Sequence, residues 1–142
     1  MVSEKAEFLL KKTKDRIMIQ KRLQLFMDRM PDGVFGIKFK TYGLDFRIPR
    51  MQDGLAFVAE MEQHRRAVIS GGGRELSMVL VAERGMEWLM ECRCFNRVVA
   101  IDIWKQTFDF HDTLDVVFSW DGSVGEFDVA VKKLVCFFEK NK

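Results

Sequence analysis

Asp102, Asp109, His111, Asp112 and Asp115 gather in one short reach of the chain with little compensating positive charge. Read as strand, Asp109 and His111 share a face, because side chains two apart point the same way. Carboxylates beside an imidazole can hold Mg²⁺ or Mn²⁺, or serve as general acid and base, so Asp102, Asp109 and His111 are the catalytic candidates. Their spacing fits no metal signature. A polar strand edge and turn, with Asp112 bonding nearby backbone amides, accounts for the same residues, and the expectation is no catalytic residue and no cofactor.

A second candidate device is the run "AVISGGGREL", residues 67–76. Phosphate-binding glycine loops work because successive backbone N–H groups and the N-terminus of the following helix converge on the anion. Here Gly71, Gly72 and Gly73 follow a helical pattern and precede a strand pattern, the reverse of that order. Neither a Gly-Lys-Ser/Thr ending nor a G-x-G-x-x-G pattern is present. The run is expected to be a helix C-terminal cap and flexible loop. Arg65, Arg66 and Arg74 flank it and suit an anionic ligand or a partner.

Cys92 and Cys94 form C-x-C without the C-x-x-C or His-x-x-x-His that would complete a zinc site. They read as buried thiols behaving like small apolar residues, as does Cys136. Three cysteines make an odd number, so a disulfide framework is not expected. With two histidines, His64 and His111, and no G-x-S-x-G, a hydrolytic triad has no local support.

Lys11, Lys12, Lys14, Arg16, Lys21 and Arg22, opposed by Asp15, form a basic patch that could meet nucleic-acid phosphates. No helix-turn-helix, zinc-finger or RNP-like aromatic pattern accompanies it, so nucleic acid is not favoured. Residues 1–71 carry 14 basic and 9 acidic groups and residues 72–142 carry 9 and 12, so the net charge of +2 divides into +5 and −3.

The elements that would position these groups follow from periodicity. From Ser3 to Met30 the chain avoids Gly and Pro, and Phe8, Ile19, Leu23, Phe26 and Met30 recur at helical spacing, which predicts a first helix. Pro31-Asp32-Gly33 ends it. "VFGIKFKTYGLDFRIP" alternates apolar and polar residues on either side of Thr41-Tyr42-Gly43, predicting a hairpin with Gly43 in the left-handed conformation.

A helix over 53–67 is expected next, with Asp53 as N-cap and Leu55, Val58 and Met61 on one face. "ELSMVLVAE", "MEWLMECRCF" and "RVVAIDIWKQ" then read as an antiparallel meander turning at Arg84-Gly85 and Asn96, with Met86, Trp88, Met90, Cys92 and Cys94 on one face. After a last strand, "LDVVFSW", Ser123 and Glu126 have the spacing of a capping box. Phe127, Val131, Leu134 and Phe138 then form the stripe of a final helix.

The predicted order α-β-β-α-β-β-β-β-α argues for a single α+β domain over residues 1–142, with three helices and one mostly antiparallel sheet of five or six strands. Its 142 residues, 48% of them hydrophobic and 12% aromatic, can enclose one core. No apolar run is long enough for a membrane span, and the first residues lack a signal peptide's pattern, so a soluble cytoplasmic protein without membrane contact is expected.

A Phe- and Met-rich domain without a catalytic signature points to stoichiometric binding of another protein, as an inhibitor, immunity or adaptor module of phage or bacterial type. Tyr42, Trp104 and Trp120 are the candidate anchors. The rival readings are a ligand-binding domain or metal-dependent enzyme using Asp102, Asp109 and His111, and nucleic-acid binding through the basic patch. Oligomeric state is not legible.

Overall fold

The computed structural model describes residues 22–29, 32–41, 43–48, 50–51, 53–71, 75–108 and 113–140. Their elements are β1 (Gln24–Arg29), β2 (Phe35–Thr41), β3 (Leu44–Ile48), α1 (Gly54–Ile69), β4 (Glu75–Glu83), β5 (Met86–Phe95), β6 (Val98–Thr107), β7 (Thr113–Ser123) and α2 (Val124–Lys140). All strand pairs are antiparallel. They form two sheets, β1-β2-β3 and β4-β5-β6-β7, where a single sheet of five or six strands was expected, and two helices lie among the described residues.

The C-terminal part of the expected first helix is strand. Leu23, Leu25 and Met27 alternate with Gln24, Phe26 and Asp28, and this second period lies hidden within the helical one. Pairing decides between them, because Leu25 sits opposite Phe39 and Met27 opposite Ile37, so that the alternate residues are buried while Phe26 faces out. The remainder of that predicted helix, residues 3–21 and Met30, lies outside the described residues.

The β2–β3 hairpin forms where the alternation placed it and Gly43 has φ +80°, but Thr41, expected in a three-residue loop, is the last residue of β2 and pairs with Leu44. Pro49 and Gln52 lie outside the described residues, and α1 begins behind Asp53, whose carboxylate accepts from the Ala56 amide at 2.9 Å. The buried face of α1 is Phe57, Val58, Met61, His64 and Val68. Leu55, expected on that face, is exposed, because Gly54 brings the start of the helix close to Phe35 and turns Leu55 outward.

β3 and β4 do not pair, and the strands before and after α1 form separate sheets. Two-residue turns at Arg84-Gly85 and Asn96-Arg97 join β4 to β5 and β5 to β6. Asn96 and Arg97 both have positive φ, the conformation that matches strand twist in a tight hairpin. At the start of α2 the capping box is complete: the Glu126 amide donates to Ser123 Oγ at 3.1 Å and the Ser123 amide to Glu126 Oε1 at 3.2 Å.

The core lies between the two sheets and the helices. Phe39 of β2 sits within ring contact of Phe46, Phe57 of α1 and Phe118 of β7, at 5.5 Å from the last, while Trp88 of β5 meets Phe46 at 5.1 Å. Phe127, Val131, Leu134 and Phe138 of α2 are all buried. Each such side chain contributes about 1.5–3 kcal/mol by leaving water.

Candidate protein-interaction surface

Cross-strand partners in an antiparallel sheet project from the same face, so the register assigns both faces of β4–β7. Met90, Cys92, Val99, Ile101, Ile103 and Phe118 are buried and define the inner face. Met86, Trp88, Met90, Cys92 and Cys94 share it, as their spacing predicts. Burial pushes the Cys92 thiol up to about 12. Cys94 is half-buried, but Cys136 is exposed, contrary to expectation. It stands two residues beyond Leu134 and therefore on the opposite side of α2 from the buried stripe.

The outer face reads as transverse rows. Val79, Leu89, Trp104 and Val116 form one row across all four strands, since Leu89 pairs with both Val79 and Trp104, and Trp104 with Val116. Val79 is 43% and Val116 59% exposed, while Leu89 and Trp104 are half-buried between them. Bulges at Leu80 and Val117 keep both ends of this row on the outer face. The indole Nε1 of Trp104 is buried and has no hydrogen-bond partner among the described residues, a donor whose desolvation they leave uncompensated.

A polar row flanks the apolar one on one side, made of Ser77, Glu91, Asp102 and Ser119; on the other side Glu87 and Gln106 stand between Ala82 and Leu114, the latter 54% exposed. Of the expected acid–histidine cluster, Asp115 is described on β7 opposite Lys105, in the other register set, and Asp102 belongs to this outer face. Its Oδ1 accepts from Ser119 Oγ at 2.6 Å and its Oδ2 pairs with Arg93 at 3.2 Å, which occupies both oxygens. Asp109 and His111 lie outside the described residues. Among the described residues no three His, Cys, Asp or Glu side chains converge to hold a metal ion.

Of the candidate anchors, Trp104 stands on the surface row, and Trp120 is a core residue at 4% exposure. The Trp120 indole lies over Gly122, where a Cβ would come within 2.3 Å of the ring. Tyr42 lies outside the described residues. His64 is buried on α1, edge-on to Phe127 of α2 at 5.7 Å.

Arg65 clamps the helices. It donates twice to Glu62, at 2.9 and 2.6 Å, and reaches across to Asp128 of α2 at 2.9 Å. Hydrogen bonding from Arg65 holds the Glu62 carboxyl down at about 2, with Arg66 assisting from 3.0 Å. Gly71 has φ +90° and its amide donates to the Val68 carbonyl, so it ends α1 as a C-terminal glycine. Gly72, Gly73 and Arg74 lie outside the described residues, as do Lys11, Lys12, Lys14, Arg16 and Lys21 of the basic patch.

Arg22, the described member of that patch, lines a groove of about 840 Å³ between β1 and α2. Leu25, Met27, Val129 and Ala130 contribute apolar walls, and Asp28 and Lys133 stand among the other lining residues. Asp102 is not among the described residues that line it. The sequence reading missed both this groove and the outer row. Leu89 between Glu87 and Glu91, and Val116 beside Asp115, were the available signals, but only register brings them beside Trp104.

No family model, curated protein or solved structure matches this chain. Among the described residues no helix is long and apolar enough to cross a membrane.

Proposed function

We propose that the chain is a non-catalytic interaction module of inhibitor, immunity or adaptor type that binds another protein stoichiometrically through the outer face of β4–β7. The observation carrying this reading is the row Val79, Leu89, Trp104 and Val116, an apolar stripe with a central indole bordered along β5 by Glu87 and Glu91. Aromatic anchors set among tolerant apolar neighbours provide most of the affinity in protein interfaces. The mechanism is occlusion: the module covers a surface its partner needs. Three thiols free of disulfides suit work in a reducing cytoplasm.

The test is capture from host lysate with the full chain and two variants. Trp104→Ala and Val116→Asp are expected to lose a stoichiometric partner while keeping the wild-type melting profile. Equal recovery by all three proteins would remove the outer face from consideration.

The groove between β1 and α2 favours a second reading, a ligand-binding domain, because its walls are apolar and charged groups line it as well. Under that reading an apolar fluorophore binds the full chain and Val129→Glu displaces it, with Trp104→Ala having no effect. Nucleic-acid binding draws no support from the described sheet faces, and the basic patch that suggested it lies outside the described residues apart from Arg22.

A further inference from the structure

The outer face of β4–β7 carries a charge pattern as well as an apolar row. Alternation along each strand places Glu75, Glu87, Glu91, Asp102 and Asp121 on this face, and Arg93 is the one cation the register sets among them in the described strands. Arg93 is already paired with Asp102. Glu87 and Glu91 stand two residues to either side of Leu89, so carboxylates border the apolar row along the middle of the sheet. At the far end Phe95, 76% exposed, pairs with Val98, 48% exposed, on the same face. Six residues of extended strand separate Phe95 from Leu89, about 20 Å at the strand rise.

We propose that the partner presents to this face a cationic amphipathic segment, whose apolar side chains meet the Trp104 row and the Phe95–Val98 pair and whose Lys or Arg residues lie over Glu87, Glu91 and the acidic rows between. The inference rests on the interaction reading above and adds the chemistry of what is bound. Charge complementarity selects this occupant over the alternatives. A second copy docked face to face would set Glu87, Glu91 and Asp121 against the same carboxylates, and like charges brought together in an interface cost several kcal/mol. A phosphate backbone meets the same repulsion. Lysine and arginine segments gain steering and register from the acidic border, and their stems extend the apolar contact.

The experiment uses the full chain and two synthetic amphipathic peptides, identical in their leucine face, one bearing lysine and the other glutamate on its polar face. Fluorescence anisotropy is read for the wild type, Trp104→Ala and the double variant Glu87→Gln/Glu91→Gln. The lysine peptide is expected to bind the wild type, to weaken at least tenfold on the double variant, and to weaken as salt is raised. The double variant should melt as the wild type does. Equal binding of the glutamate peptide, or an unchanged affinity on the double variant, overturns the proposal. So does a concentration-dependent dimer of the wild type that Trp104→Ala dissolves, which would assign the face to a second copy. If lysate capture depends on Trp104 and Val116 but not on Glu87 and Glu91, the interaction reading stands and the charge proposal fails; if it depends on neither pair, both fail.

Discussion

A Cβ at Gly122 would stand 2.3 Å from Trp120 Cζ2, closer than packed carbon atoms approach, so the missing side chain is what lets the indole fold along its own strand. Gly122→Ala must therefore push Trp120 off the core or bend β7 just ahead of the Ser123 cap. The expected loss is about 1–3 kcal/mol, the range for overpacking a filled interior, read as a lower urea midpoint. No motif in "LDVVFSWDGS" announces this contact, and Trp120 looked like an anchor because an aromatic near a strand end has no other visible duty in the sequence. The cysteines divide on the same ground. Cys92 is buried with its thiol held in the protonated form, and Cys136 is exposed on α2. Native protein is expected to lose Cys136 quickly to a thiol reagent at neutral pH and to retain Cys92 until it is unfolded, as mapped by mass spectrometry. Rapid labelling of Cys92 in folded protein would contradict the assigned inner face.

Between elements, the Arg65 clamp joins α1 to α2 through Glu62 and Asp128. Because Glu62 titrates at about 2 in the folded chain and near 4.5 in its ordinary state, folding favours its ionised form. Its contribution to stability is complete above about pH 5 and is lost as pH falls through the interval down to 2. Wild type is expected to lose more stability than Glu62→Gln over that interval, with denaturant midpoints at successive pH values as the measure. Parallel curves would show that the clamp carries no proton-linked stability. Arg65→Ala, which removes the cation joining Glu62 to Asp128 and leaves them Arg66 and Lys132 as separate partners, is expected to cost about 1–3 kcal/mol at neutral pH. On the sequence alone Arg65 and Arg66 are candidates for an anionic ligand or partner. Their sequence neighbourhood, beside glycines at the end of a helix, showed a cation without showing that Asp128, 63 positions away from Arg65, would meet it.

At the scale of the molecule, Phe39 of the three-stranded sheet touches both α1 and the four-stranded sheet, and Phe46 beside it meets Trp88 and Phe118. Phe39→Ala is expected to cost about 3–5 kcal/mol, a large part of the roughly 5–15 kcal/mol that holds a domain folded, and to lower both sheets and helices in one transition by circular dichroism. Separate transitions for the two sheets would argue against the shared core. Local pattern carried much of this architecture: the Thr41-Tyr42-Gly43 hairpin, the meander faces, the Asp53 cap, the Ser123–Glu126 box and the α2 stripe are all set by neighbours a few residues apart, whose spacing the chain displays directly. Residues 23–29 show where that fails, since helical and alternating periods coexist there and hydrogen bonds to β2 make the choice. The division into two sheets was equally beyond local reading, because it depends on which strand edges meet after α1. So was the candidate surface: Val79, Leu89, Trp104 and Val116 lie on four different strands, and burial of the opposite face against Phe39 and Phe46 is what turns them outward together. The sequence by itself determined the elements other than β1, with their caps and their turns, because those energies are local; the tertiary structure alone decided which apolar residues are core and which are left as a surface, because that depends on what covers each face.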